Sequence, residues 1–140
     1  MPKDSSFTSL LFALQDVPYG DFTHKLIPTL SRERIIGVRL PVLRKVAKDL
    51  TKQQPKTVAQ FLNSLPHYYH EENLLHSFLI EQIKAFDQAI AYTEAFLPYI
   101  DNWAVCDTFS PKLFQRHPKE TYTHILQWLK SPQPYTIRYG

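Results

Sequence analysis

The sequence predicts an all-α fold. Three observations carry that expectation. Apolar residues recur at spacings of three and four along most of the chain, the signature of one helix face. No segment alternates apolar and polar residues with a period of two. Only three glycines occur in 140 residues, too few for a β-rich fold, which consumes glycine in its turns.

The elements follow in order. Phe7, Leu10, Leu11 and Leu14 predict a helix near 5–15. Pro18-Tyr19-Gly20 is expected to break it. Phe22, Leu26, Ile27 and Leu30 then continue with helical spacing, and Ile35-Ile36-Gly37-Val38 reads as a turn. Pro41 suits the first turn of the next helix. That helix points Leu43, Val46, Ala47 and Leu50 inward and carries Arg44, Lys45, Lys48 and Lys52 on its charged face. Pro55 opens another, with Val58, Phe61, Leu62 and Leu65 as its apolar stripe.

A long apolar-rich helix is expected from Glu71 to Ile83, and another over 87–99 with Ile90, Ala91, Phe96 and Leu97 inward. Asp101 is the expected N-cap of a helix carrying Trp103 and Asp107. Pro111 and Pro118 each permit a helix start, and Tyr122, Ile125, Leu126 and Leu129 form a last stripe. Helix pairs of about 30–45 residues joined by short proline turns suggest a HEAT-like α-α superhelix, a solenoid of paired antiparallel helices. A generic helical bundle is the competing architecture, since no strict repeat is present. Residues 134–140 read as the first turn of a further helix. A solenoid ends on a capping repeat, so the expectation is a single domain over 1–140 that forms the N-terminal part of a longer one.

Bulk properties narrow the function. At 140 residues, with 44% hydrophobic and 21% charged residues, the chain can bury one core like an ordinary soluble domain. No run has the apolar length of a membrane span, and residues 1–20 lack a signal peptide's basic start and apolar core. The single cysteine, Cys106, excludes an intramolecular disulfide and fits a reducing cytoplasm. No phosphate-binding glycine loop is present.

Charge is unevenly distributed. Residues 25–56 hold nine basic residues (Lys25, Arg32, Arg34, Arg39, Arg44, Lys45, Lys48, Lys52, Lys56) against Glu33 and Asp49, a balance of +7. Residues 70–107 hold Lys84 against seven acidic residues, −6, and residues 108–140 return to +4. Two basic regions around an acidic middle suit a polyanion that touches both flanks. Arg39, Arg44, Lys45 and Lys48 are the candidates to meet phosphate. Ordinary solvated helix faces are the alternative.

The most informative segment is Asp101-Asn102-Trp103-Ala104-Val105-Cys106-Asp107. In a helix, Trp103 and Asp107 lie one turn apart on one face. An aromatic plate beside a carboxylate is suited to stabilising a cation. A core tryptophan and a solvated aspartate are the plain alternative.

Four stretches resemble the DNA alkylation repair family, the AlkD-type HEAT-like DNA glycosylases. They are Gly37-Val38-Arg39-Leu40-Pro41-Val42-Leu43-Arg44-Lys45, Glu71 to Glu81, Ile100 to Asp107, and Ile137-Arg138-Tyr139-Gly140. Their order and rough spacing also match, and together they cover most of the chain. The third is the most specific. The resemblance implies excision of cationic N3- and N7-alkylated purines, such as 3-methyladenine and 7-methylguanine, from duplex DNA in base excision repair. It implies that Asp107 is the catalytic carboxylate and that Trp103 packs against the nucleotide's sugar and backbone. It implies that Arg138 engages the DNA backbone near the lesion. Family members continue for several more helices, with further DNA contacts, so the chain resembles a C-terminally truncated member.

The chemistry is coherent with those residues. An alkylated purine is already a good leaving group, so the base needs no general acid. The sugar passes through an oxocarbenium-like state. A carboxylate beside that carbon stabilises the cation and can position water. Such a site needs neither a metal nor an organic cofactor. Its expected partner is duplex DNA containing alkylated purines, and its expected state a cytoplasmic monomer. A non-catalytic DNA-binding or protein-interaction module is the alternative function.

Other candidates reduce to structure. His67, His70, Glu71, Glu72 and His76 form a polar cluster in which Glu72 and His76 are one turn apart. The order is not His-Glu-x-x-His, and the cysteine partners of a structural zinc are missing. A surface pair or helix start is expected. Cys106 is expected to be a buried packing residue, and Tyr68-Tyr69 to pack between helices, with contact to DNA as the alternative.

Overall fold

A computed structural model describes residues 5–140. Among them, ten α-helices and two short 3-10 turns are present and no strand. The all-α expectation therefore holds. The chain divides into two compact units, Met1–Leu79 and Ile80–Gly140. Each is built differently.

The first unit holds α1 (Thr8–Ala13), α2 (Val17–Leu26), α3 (Leu40–Gln53), α4 (Pro55–Leu62) and most of α5 (His70–Glu81). Pro18-Tyr19-Gly20 does not break the pattern as expected; it lies inside α2, which begins one residue earlier. Proline costs nothing in a first turn, where its missing N–H would have no partner. Asp16 supplies the cap, its Oδ1 accepting the Tyr19 N–H at 3.1 Å. The helix stops at Leu26, short of the expected run to Leu30, because Ile27 leaves the helical region at φ −128°.

In α3, Leu43, Ala47 and Leu50 are buried as expected, whereas Val46 is only partly covered. Pro41 and Pro55 stand in the first turns of α3 and α4. The core is closed by Val58, Phe61 and Leu62 of α4 and by Leu74, Leu75 and Phe78 of α5.

Two buried carboxylates organise this unit. Glu71 is 1% exposed, and its two oxygens accept the N–H groups of Ile36 and Gly37, each at 2.8 Å. Glu72 is wholly buried and accepts from Ser5 Oγ, from Thr8 Oγ1 at 3.0 Å and from the Tyr69 N–H at 3.0 Å. The last bond is the backward half of a capping box. The sequence expectation of a helix start is met, but the expected surface setting is not. Hydrogen bonds from several donors are what make burial of these carboxyl groups tolerable.

The turn held by Glu71 requires glycine. Gly37 has φ +97°, a region disfavoured for residues with a Cβ. A Cβ there would stand 2.4 Å from the Asp16 carbonyl oxygen. The Gly37 carbonyl accepts the Asp16 N–H at 2.6 Å, joining the turn to the start of α2.

The second unit holds α6 (Phe86–Phe96), α7 (Trp103–Thr108), α8 (Lys112–Arg116), α9 (Pro118–Trp128) and α10 (Pro134–Tyr139). Helix α6 is shorter than expected, with Leu97–Tyr99 forming a 3-10 turn. Its inward face is Ala89, Ile90, Thr93 and Phe96; Ala91 faces solvent. Helix α9 also differs. The expected stripe is not buried: Tyr122, Leu126 and Leu129 are exposed, and Thr121 and Trp128 face inward. Trp128 meets Phe114 at 6.2 Å and Tyr139 at 5.3 Å between ring centroids. The Thr121 hydroxyl donates to the Phe114 carbonyl at 3.0 Å. An aromatic nest and a satisfied hydroxyl set the rotation of α9, and neither is visible in apolar spacing.

Candidate functional site

Helix α7 is six residues long and is started by Asn102, not by Asp101 as expected. Asn102 Oδ1 accepts the Val105 N–H at 3.1 Å, and its Nδ2 donates to Asp101 Oδ1 at 2.9 Å. The capping side chain is almost fully buried. A neutral amide is buried there at lower cost than a carboxylate, so the asparagine caps and the aspartate stays in water.

Val105 and Cys106 form the buried face of α7. Trp103 at 41% and Asp107 at 44% exposure form its open face, one turn apart. The expected common face is therefore present. Trp103 is not a core aromatic.

Arg138 reaches this face from α10. Its Nε donates to Asp107 Oδ1 at 2.8 Å and its Nη2 to Oδ2 at 2.6 Å. Fork meets fork, the geometry that distinguishes arginine from lysine. Two contacts hold α10 beside α7. The Cys106 thiol donates to the Tyr135 carbonyl at 3.5 Å, and the rings of Phe109 and Tyr139 stack at 5.1 Å. The sequence placed Arg138 near the site by resemblance; its direct bond to Asp107 carries no local signal, because the two are thirty-one positions apart.

The electrostatics follow from the contacts. Hydrogen bonds from Arg138 hold the Asp107 carboxyl below its usual range, so it is anionic at neutral pH. The same partnership raises Arg138 further above its ordinary value. Burial pushes the Cys106 thiol up, and the neighbouring Asp107 adds to that shift. Cys106 is thus a neutral packing residue and no nucleophile.

Arg39, Arg44, Lys45 and Lys48 lie in the first unit and are exposed. Arg39 bonds Asp16 at 3.3 Å and lies over the Tyr19 ring at 4.8 Å. The Arg44 guanidinium covers the Phe78 ring at 4.2 Å. Lys45 stands 3.9 Å from Asp49 in the next turn of α3. These contacts orient Arg39, Arg44 and Lys45 while leaving them at the surface, where they can meet an anion.

Two neighbouring features bear on the chemistry. An apolar groove of about 360 Å³, lined by Phe109, Phe114, Trp128 and Tyr139 among others, opens in the second unit. It holds no acid–base pair. Among the described residues, no group of three or more His, Cys, Asp or Glu side chains is placed to hold a metal ion. No helix among them is long and apolar enough to cross a membrane.

The polar cluster of the first unit is buried, not at the surface as expected, with His67 6% exposed and His76 0%. His67 Nε2 and His76 Nδ1 lie 2.9 Å apart, and His67 stacks on Phe61 at 4.1 Å. Desolvation lowers His67 to about 4 and pushes His76 well down. The proximity of Phe61, His67 and His76 depends on the turn between α4 and α5, which spacing does not encode.

Comparison with known proteins gives one finding. A family model described as DNA alkylation repair enzyme matches residues 20–140. No curated protein and no solved structure matches the chain.

Proposed function

From the premise that the chain belongs to the DNA alkylation repair enzyme family, we propose that it is a DNA glycosylase acting on cationic N3- and N7-alkylated purines. The observation that carries this reading is the open face of α7. It presents an aromatic plate and an ionised carboxylate together, beside an arginine able to grip phosphate.

Trp103 packs its electron-rich face against the sugar and backbone of the damaged nucleotide. As the glycosidic bond breaks, electrons pass to the base, which leaves neutral. Positive charge develops on the sugar. Asp107 stabilises that charge and orients the water that attacks it. Arg138 holds the adjacent phosphate. Arg39, Arg44, Lys45 and Lys48 supply sequence-independent contacts to the duplex backbone.

The test is release of 7-methylguanine from duplex DNA by this chain and by its Asp107→Asn variant. The reading expects a loss of roughly a hundredfold or more, the scale of removing a preorganised electrostatic contact. An Asp107→Asn variant as fast as the parent would remove that residue from the mechanism.

A second reading is a non-catalytic DNA-binding module. The bidentate Arg138 contact favours it, because a paired carboxylate is a poor stabiliser of another cation. Salt-sensitive binding of alkylated duplex with no base release would establish it.

A further inference from the structure

A carboxylate meant to meet a developing cation is here already matched by a guanidinium, through both of its oxygens. The pair sits at the surface, with Arg138 52% and Asp107 44% exposed. Exposed ion pairs hold their partners weakly. A phosphodiester offers Arg138 the same two-oxygen geometry as the carboxylate.

Resting on the glycosylase reading, we propose that Arg138 is a movable counter-ion for Asp107. It stays on the carboxylate over nucleotides with a neutral base and passes to a DNA phosphate where the base is cationic. Counting charges gives the reason. Over undamaged DNA, Asp107 and the phosphate are two anions with one arginine between them. Moving Arg138 would leave a bare carboxylate against a polyanion. Over an alkylated purine, the nucleotide supplies a second cation, and both anions can be matched at once. Arg138 thus hides the charge of Asp107 during contact with ordinary duplex and releases it at the lesion. Lysine could not make this exchange between two forks. Cys106, buried and neutral next to Asp107, adds no competing anion.

This role differs from that of a fixed phosphate clamp in one measurable way. Removing a fixed clamp weakens every duplex alike. Removing a movable counter-ion exposes Asp107 to the polyanion wherever the bases are neutral, while at the lesion the lost phosphate contact is offset by the carboxylate no longer needing release. The experiment compares the parent chain with Arg138→Gln on two duplexes of one sequence. One contains 7-methylguanine on a 2′-fluoro sugar, which slows bond cleavage, and the other its neutral 7-deaza isostere. Measurements are made slightly below neutral pH, where the methylated base stays cationic.

Arg138→Gln is expected to weaken binding of the neutral duplex about fivefold, the effect of one exposed charge at contact distance in water, and to leave the cationic duplex nearly unchanged. In the parent chain, the Arg138 Nε–Hε NMR signal is expected to shift with the cationic duplex and to hold its position with the neutral one. Equal weakening on both duplexes would overturn the exchange, as would a signal unmoved by the cationic duplex. Either result leaves the glycosylase reading standing. Failure of the parent chain to bind either duplex would overturn that reading and the exchange with it.

Discussion

Acidification should destabilise this protein through His67. His67 lies against Phe61 and bonds His76, and burial lowers it to about 4. In an unfolded chain histidine titrates near 6.5. The unfolded state therefore takes up a proton first, and stability falls as pH drops from about 6.5 toward 4. The contribution is fully present above 6.5. For His67 alone, linkage between pH 7 and pH 5 gives a loss of about 2 kcal/mol. His76, also pushed down, acts in the same direction. The assay is urea unfolding followed by far-UV circular dichroism over that range, for the parent and His67→Gln. Glutamine cannot titrate, so the variant's stability should change much less with pH, whatever its starting value. Equal pH dependence in the two proteins would show that His67 is not held neutral, and the reasoning would fail.

Further outcomes follow from other contacts. Gly37→Ala forces a Cβ to 2.4 Å from a carbonyl at φ +97°; strain alone costs about 1–3 kcal/mol, so a thermal melt should fall clearly, and an unchanged melting temperature would contradict the turn. Asn102→Ala removes the α7 cap and should cost about 1 kcal/mol in chemical denaturation, whereas Asp101→Ala should cost less; the reverse order would restore Asp101 as the cap. Replacing Arg44, Lys45 and Lys48 together by alanine should flatten the slope of log affinity against log salt by about 2–3 on duplex DNA. An unchanged slope would assign that face of α3 to solvent.

The legible parts were those governed by local rules. Proline in the first turns of α3, α4 and α9 follows from its fixed φ and missing N–H. Leu43, Ala47 and Leu50 follow from helical spacing. The common face of Trp103 and Asp107 follows from four residues of helix. What stayed hidden required partners distant in sequence. Glu71 and Glu72 look like solvated acids until the turn at Gly37 and the start of α1 are brought onto them. The rotation of α9 was misread because Tyr122, Leu126 and Leu129 make a better local stripe than Thr121 and Trp128. Phe114 and Tyr139 decide the matter from outside the helix. The Asp101–Asn102 choice turned on which side chain is buried, and both are good caps by type.

The placement of the two tryptophans also makes the protein its own optical probe. Both Trp103 and Trp128 belong to the second unit, one open to solvent and one packed among aromatic rings. Tryptophan emission therefore arises in the second unit. A urea titration read by emission follows the surroundings of these two indoles, while dichroism follows every helix. The open indole should respond on its own to anything stacked upon it. A quench that survives Trp128→Phe and vanishes in Trp103→Phe would place a bound nucleotide on α7 without any label.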